Sequence, residues 1–339
     1  MEPIWIAGPC AAESREQVLE TAAQLVEEAR SASVRLHFFR AGAWKVRSAP
    51  DSFTGAGEEA LPWLEEVQKT WNLPVCVEVM NARQLENCAK HGIRAVWVGA
   101  RTAVNPIEVQ QIADAIRHSD FTVMVKNPMI PDLKLWMGNL ERFLQADIRQ
   151  VIAVHRGFPD ATENIYRNAP MWQIPIELKV RMPELPILCD PSHLCGQVRW
   201  IPEVAQIAMN YGFNGLMTEC HCRPEQALSD AEQQMTPSDW AQMVSHLDLR
   251  TDAPDLSLIK QRAKLENIDN QISELLYQRM MVADEIADIK RANHIAVVQP
   301  QQWQQVVKRY LKHPEDTVYQ DFINKFLELL HQASIERQR

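Results

Sequence analysis

Four side chains of the kinds that bind transition metals stand far apart in the sequence: Cys10, His193, Glu219 and Asp230. A thiolate, an imidazole and two carboxylates form a mixed donor set. It suits a divalent transition metal of the Mn, Fe, Co or Zn class better than Ca²⁺ or Mg²⁺. Each residue also has an ordinary reading: Cys10 as a small core residue, His193 as a capping side chain, the acids as surface charges. Their spacing is not that of a zinc finger, so spacing alone assigns nothing. Six cations accompany them: Arg40, Lys45, Arg47, Arg101, Lys126 and Arg156. Brought together they would form a positive well, costly to bury unless a ligand supplies anions. The planar guanidinium fork matches phosphate and carboxylate oxygens. A metal beside such a well implies a substrate pair rich in phosphate and carboxylate. A lone Arg or Lys is ordinarily a salt-bridged surface group, but four of these six end apolar runs directly.

Eight short apolar runs would have to position these groups: PIWIAG, VRLHFFRAG, LPVCVEV, AVWVGA, FTVMVK, QVIAVHRG, LPILCDPS and NGLMTECH. Between them lie amphipathic stretches such as Glu13–Arg30, Ala82–His91, Pro106–Arg117 and Pro202–Tyr211. Eight strands alternating with helices is the count of a TIM (β/α)8 barrel, an α/β fold of about 250 residues. A doubly wound open sheet is the alternative, but no G-x-G-x-x-G follows the first run. Cys10, Arg40, Glu78, Arg101, Lys126, Arg156, Asp190, His193 and Glu219 all fall at the C-terminal ends of the runs. In a barrel that end carries the active site.

The chain has 339 residues, enough for such a barrel and a smaller second domain. Its net charge of -9 points to no nucleic-acid partner and no anionic membrane surface. The N-terminal MEPIWIAGPCAAES lacks the basic and apolar regions of a signal peptide, and no apolar run approaches the ~20 residues of a membrane span. Seven scattered Cys argue for a reducing compartment, so a cytoplasmic location is expected. Cys220 and Cys222 flank His221, a weak metal signal that buried thiols explain as well.

After His246 the pattern changes. Residues 1–247 are read as the barrel, 248–255 as an acidic linker containing a Pro, and 256–339 as an all-helical domain. From Leu258 to Ile289 apolar residues recur at three- and four-residue steps, predicting one long amphipathic helix. Pro300 marks a break, followed by helices over Trp303–Lys312 and Asp316–Ile335. Such a chain cannot bury its apolar face alone, so a homodimer through the helical domain, or a higher homo-oligomer, is expected. Arg262, Arg279 and Lys290 are seventeen and eleven residues apart. Eleven residues is close to three turns, so Arg279 and Lys290 share a face. Cations whose stems cover a coiled-coil-like helix are the ordinary reading.

The segments IAGPCAAES, FRAGAWKVRS, VGARTAVNP, VKNP, HRGF, DPSH and E-x-H with ALSD together resemble the 3-deoxy-D-arabino-heptulosonate 7-phosphate (DAHP) synthases, nearest their short form, across residues 4–235. The resemblance implies that Cys10, His193, Glu219 and Asp230 bind the metal, and that Arg40, Lys45, Arg101, Lys126 and Arg156 hold phosphoenolpyruvate. Arg47 and Ser48 fall where the family's K-P-R-T motif holds erythrose 4-phosphate. Val46 replaces the Pro of that motif and Ser48 its Thr, and Ala11 replaces a common Ser. The implied reaction is an aldol-like condensation with the metal as Lewis acid and Lys45 as a donor near the aldehyde. The sister 3-deoxy-octulosonate 8-phosphate synthases carry an Asn before the corresponding Arg and use arabinose 5-phosphate. The sequence Lys45-Val46-Arg47-Ser48 lacks that Asn, which favours erythrose 4-phosphate.

Residues 256–338 resemble the all-helical chorismate mutases, in which a dimer turns chorismate into prephenate without nucleophile, base or metal. The resemblance makes Arg262 (from the partner copy), Arg279, Lys290 and Gln338 catalytic, with Ser334 in the substrate site. Where that family often has Asp and Arg-Glu, this chain has Gln299 and Gln302-Trp303. Because the two reactions are not consecutive, the fusion suggests regulation, with chorismate or prephenate on the helical domain biasing the barrel. The rival readings are a helical domain that only dimerises or senses a metabolite, and a non-catalytic anion-binding barrel.

Overall fold

A computed structural model describes residues 2–45, 53–159, 165–249, 256–298, 300–310 and 317–338. Chain contacts divide it into two units, Met1–Asp252 and Ala253–Arg339.

In the first unit eight strands, β1 (Ile4–Gly8), β2 (Phe38–Ala41), β3 (Val75–Val79), β4 (Ala95–Val98), β5 (Thr122–Lys126), β6 (Gln150–His155), β7 (Ile187–Cys189) and β8 (Gly215–Glu219), close into a barrel in sequence order. Every pair is parallel, and β8 returns to β1 with Ile4 opposite Gly215 and Gly8 opposite Glu219. All eight runs expected as strands contain one. Around them lie α1 (Arg15–Ser31), α2 (Ala60–Trp71), α3 (Ala82–Lys90), α4 (Pro106–Ala115), α5 (Leu133–Gln145), α6 (Gln173–Arg181), α7 (Pro191–Cys195), α8 (Ile201–Asn210) and α9 (Pro237–His246). Side chains in a strand alternate between its faces. Val18, Leu64 and Val96 belong to the large cluster that packs the outer face of the barrel against the helices. Ile6, Cys76, Trp97, Met124, Ile152 and Leu188 fill the inside of the barrel.

The same alternation builds the site. Two residues beyond an inward-facing core residue, each strand must again face inward, one layer higher. From Phe38, Cys76, Met124, Val154, Leu188 and Met217 that step reaches Arg40, Glu78, Lys126, Arg156, Asp190 and Glu219. From Trp97 it reaches Gly99, where a Cβ would stand 2.0 Å from Glu78 Oε1, so any larger residue would push that carboxylate aside. A charged layer thus sits directly on a hydrophobic one.

The second unit contains α10 (Leu256–Ala292), α11 (Pro300–Tyr310) and α12 (Thr317–Gln338). Pro300 opens α11 instead of only interrupting the chain, because a first-turn residue has no helical partner for its N–H in any case. The unit's own core is Ile323, Leu327 and Leu330, packed by Leu276, Met280 and Trp303 among others. α10 is 37 residues long, and Leu265, Ile268, Ile272 and Leu275 on it remain 47–62% exposed. No described helix is long and apolar enough to cross a membrane.

Candidate active site

Short capped elements aim the side chains at the mouth of the barrel. Asp190 ends the inward positions of β7 and caps α7, accepting the His193 N–H at 3.0 Å, while Pro191 takes the first helical position. Gly196 then stops the helix in the left-handed region. His193 thereby faces the cavity, its Nδ1 2.8 Å from Asp190 Oδ2 and its Nε2 3.6 Å from Glu219 Oε1. Glu219 ends β8, and its N–H donates to Ser192 Oγ at 2.9 Å. Cys10 lies just beyond β1. Its thiol donates to Asp230 Oδ2 at 3.2 Å, and its sulfur accepts from Lys45 Nζ at 2.7 Å.

Arg40, Lys126 and Arg156 are buried in the well. Arg40 Nη2 donates to Glu219 Oε1 at 2.9 Å, and its Nη1 stands 3.9 Å from Asp190 Oδ2. Among the described residues Arg40 Nε and Nη1 have no hydrogen-bond partner. Lys126 Nζ donates to Asp190 Oδ2 at 2.6 Å, and Arg156 Nη1 donates to Asn168 Oδ1 at 3.0 Å. Lys45, Arg101, Lys126, Arg156, His193 and Asp230 line one cavity. Arg47 and Ser48 lie outside the described residues.

Charge is tightly balanced here. Burial opposes ionisation of Asp190, but His193 and Lys126 hold its carboxyl well below the usual range. Burial likewise opposes the Glu219 charge, yet His193 and Arg40 bring it to about 2. Burial keeps the His193 imidazole below its ordinary pKa despite Asp190 and Glu219, and lowers that of Lys126 despite Asp190. Burial, with Glu219 nearby, pushes the Cys10 thiol up to about 12.

Three contributors carried no assigned role in the sequence reading. Asp190 is the counter-ion between Arg40, Lys126 and His193; its place at a strand end was visible, its role was not. Arg167 lines the same cavity and donates to Asp230 Oδ1 at 3.0 Å and to Gln233 Oε1 at 2.7 Å. Gln233 in turn donates to Glu219 Oε2 at 2.6 Å. Neither Arg167 nor Gln233 lies on a strand, so no periodicity pointed to them.

Whether the four donor residues suit a metal can be tested on their spacing. Two ligands of one tetrahedral ion stand about 3.3–3.6 Å apart. His193–Glu219 at 3.6 Å meets that separation, while Cys10–Asp230, closed by a thiol hydrogen bond at 3.2 Å, would have to open slightly. Among the described residues no three His, Cys, Asp or Glu side chains close on a common point. The neutral imidazole and ionised carboxylates are in ligand form; the Cys10 thiol would have to give up its proton. The donor chemistry therefore fits a transition-metal ion.

In the helical unit Arg279 Nη1 donates to the buried Ser334 Oγ at 2.7 Å, which donates on to the Leu330 carbonyl. Lys290 Nζ donates to the Val297 carbonyl at 2.7 Å. Arg262 is exposed near the start of α10. Gln338 is the last residue of α12, and its side chain lies outside the description, as does Gln299. Trp303 stacks on His331 with ring centroids 4.0 Å apart.

A sequence model of the DAHP synthetase I family matches residues 2–252, and one of chorismate mutase type II matches residues 261–339. Phospho-2-dehydro-3-deoxyheptonate aldolase of Thermotoga maritima is 30% identical over 251 residues, 73% of this chain and 70% of that protein. 2-Dehydro-3-deoxyphosphooctonate aldolase of Protochlamydia amoebophila is 30% identical over 268 residues, 72% of this chain and 90% of that one. The crystal structure of the Thermotoga maritima aldolase (DAHP synthase) matches the fold with a TM-score of 0.61 at 28% identity, covering 71% of this chain and 67% of the other. On this evidence the chain belongs to the DAHP synthetase I family and carries a chorismate mutase type II segment fused behind its barrel.

Proposed function

We propose that the barrel condenses phosphoenolpyruvate with erythrose 4-phosphate and water, releasing phosphate and DAHP. The observation that carries this reading is the charged layer itself. Arg40, Lys126 and Arg156 are buried at strand ends, with two Arg40 nitrogens lacking a hydrogen-bond partner among the described residues, an arrangement that an anionic ligand would complete. Arg40, Lys45, Arg101, Lys126 and Arg156 would fix the phosphate and carboxylate of phosphoenolpyruvate, with Arg47 and Ser48 taking the phosphate of the aldose. Orienting the two substrates against each other turns a two-molecule encounter into a near-intramolecular one. Lys45, whose Nζ also donates to the Cys10 carbonyl at 2.7 Å, would serve as a donor near the aldehyde. Cys10, His193, Glu219 and Asp230 would hold a divalent metal, and that ion would supply Lewis-acid polarisation of the aldehyde.

For the helical unit the reading is rearrangement of chorismate to prephenate. Arg279 with Ser334, Lys290, Gln338 and the partner copy's Arg262 would clamp the compact conformer and its ether oxygen. The exposed apolar positions of α10 support a homodimer. A second reading, a dimerisation or prephenate-sensing module, is favoured by one observation: Gln302 is exposed and uncharged, and Trp303 is taken up by His331. A cytoplasmic location accords with a biosynthetic role.

The test is phosphate release by the purified full-length protein from phosphoenolpyruvate with erythrose 4-phosphate or arabinose 5-phosphate, before and after chelation. Turnover with erythrose 4-phosphate that chelation abolishes supports the reading. Preference for arabinose 5-phosphate reassigns the second substrate, and no phosphate release with either aldose refutes the condensation.

A further inference from the structure

The floor of the well contains a residue that the charged groups do not account for. Trp97 on β4 is fully buried and belongs to the interior layer beneath the charges. Two cations stand over its ring, the Arg40 guanidinium carbon 4.8 Å and Lys126 Nζ 5.8 Å from the ring centroid. Both lie within the ~6 Å over which an aromatic quadrupole attracts a cation, and tryptophan has the strongest face for it. One step above it on the same side of β4 is Gly99, which lines the cavity and has no side chain to roof the indole.

The indole sits there at a cost. Its Nε1–H is buried without a hydrogen-bond partner among the described residues, a defect that Phe or Leu would not carry. The benefit must therefore lie in the ring face. Arg40 is otherwise held by one hydrogen bond to Glu219 and a longer ionic contact to Asp190. Two like charges buried side by side repel each other. A further carboxylate beneath them would relieve the repulsion, but it would also compete with an incoming anion. A quadrupole attracts both cations without adding a further negative charge to those of Asp190 and Glu219 that already pair with them.

We propose that Trp97 is a positioning residue for phosphoenolpyruvate, its indole face holding the Arg40 guanidinium and the Lys126 ammonium together at the floor of the well. The inference rests on the reading of this well as the phosphoenolpyruvate site.

The test uses the full-length protein and its W97F and W97L variants, with folding checked by circular dichroism and thermal unfolding. Phosphoenolpyruvate affinity is measured calorimetrically beside steady-state kinetics. Loss of the ring face weakens phosphoenolpyruvate binding in the order Trp, Phe, Leu, by roughly tenfold for W97L. KM for phosphoenolpyruvate rises with it, and kcat changes less. Ten tryptophans share the emission, so the wild-type minus W97F difference spectrum isolates Trp97. That spectrum shifts on saturation with phosphoenolpyruvate, because the cations above the ring move. A folded W97L that binds within twofold of wild type, or a difference spectrum blind to phosphoenolpyruvate, overturns the proposal while leaving the assignment of the well intact. Should W97L fail to fold, W97F and the emission measurement decide in the same way. A wild-type protein that binds no phosphoenolpyruvate overturns both readings.

Discussion

Replacing Asp190 by Asn removes one charge from the centre of the well and little else. The amide oxygen can still cap α7 by accepting the His193 N–H, so the backbone of the D-P-S-H turn keeps its main restraint. What disappears is the anion that meets Lys126 at 2.6 Å, His193 at 2.8 Å and Arg40 at 3.9 Å. Asp190 is fully buried, and Arg40 and Lys126 nearly so, so solvent cannot screen the loss. Removing one partner from a buried ion pair costs about 3–5 kcal/mol. At ~2–4 °C per kcal/mol for a unit of this size, melting of the barrel should fall by roughly 6–20 °C. A bound anion should then matter more to the variant than to the parent, because it restores the missing counter-charge. Scanning calorimetry with and without saturating phosphoenolpyruvate reads both effects. The reasoning is refuted if the ligand-free variant melts within about 2 °C of the parent, or if phosphoenolpyruvate fails to narrow the gap.

Three further outcomes follow from particular residues. Lys290→Ala should reduce chorismate turnover by about 10²–10³-fold, the scale of losing one preorganised donor, with secondary structure unchanged by circular dichroism; a helix serving only dimerisation would tolerate the change. His155 is fully buried among Trp136, Phe158, Trp172 and Phe213, and burial lowers its pKa from 6.5 to about 3. Between those values the unfolded chain binds a proton that the folded one refuses, so stability is full above about 6.5 and falls as pH drops. His155→Phe should remove up to ~1.4 kcal/mol per pH unit of that slope, measured by denaturant unfolding from pH 6.5 to 4; equal slopes in both proteins would contradict it. Because the Cys10 thiol holds its proton up to about 12, divalent-metal affinity should rise about tenfold per pH unit near neutrality, as metal titrations at several pH values would reveal.

Much of this architecture was legible in the sequence because strand alternation is a strict geometric rule. A charge two residues past an inward apolar residue, as in Met124 and Lys126 or Met217 and Glu219, must lie one layer higher inside the barrel. Trp97 escaped because a buried tryptophan in a strand reads as core, and only the cations above it give its ring face a second meaning. Arg167 and Gln233 escaped because loops carry no period. Along α10 apolar spacing announced the helix, but it could not separate Leu276 and Met280, which enter the unit's own core, from Leu265 and Ile268, which do not. Pro300 marks a break in the sequence pattern, yet the same ring is equally at home in a first helical turn, where the structure places it.

The central claim is that Cys10 joins three distant side chains around one metal ion beside the cationic well. Metal content and phosphate release, measured together on Cys10→Ala and the parent protein, test it most directly. The account predicts a folded variant that retains little metal after dialysis and does not turn over phosphoenolpyruvate with erythrose 4-phosphate. A variant that keeps both its metal and its turnover would contradict it.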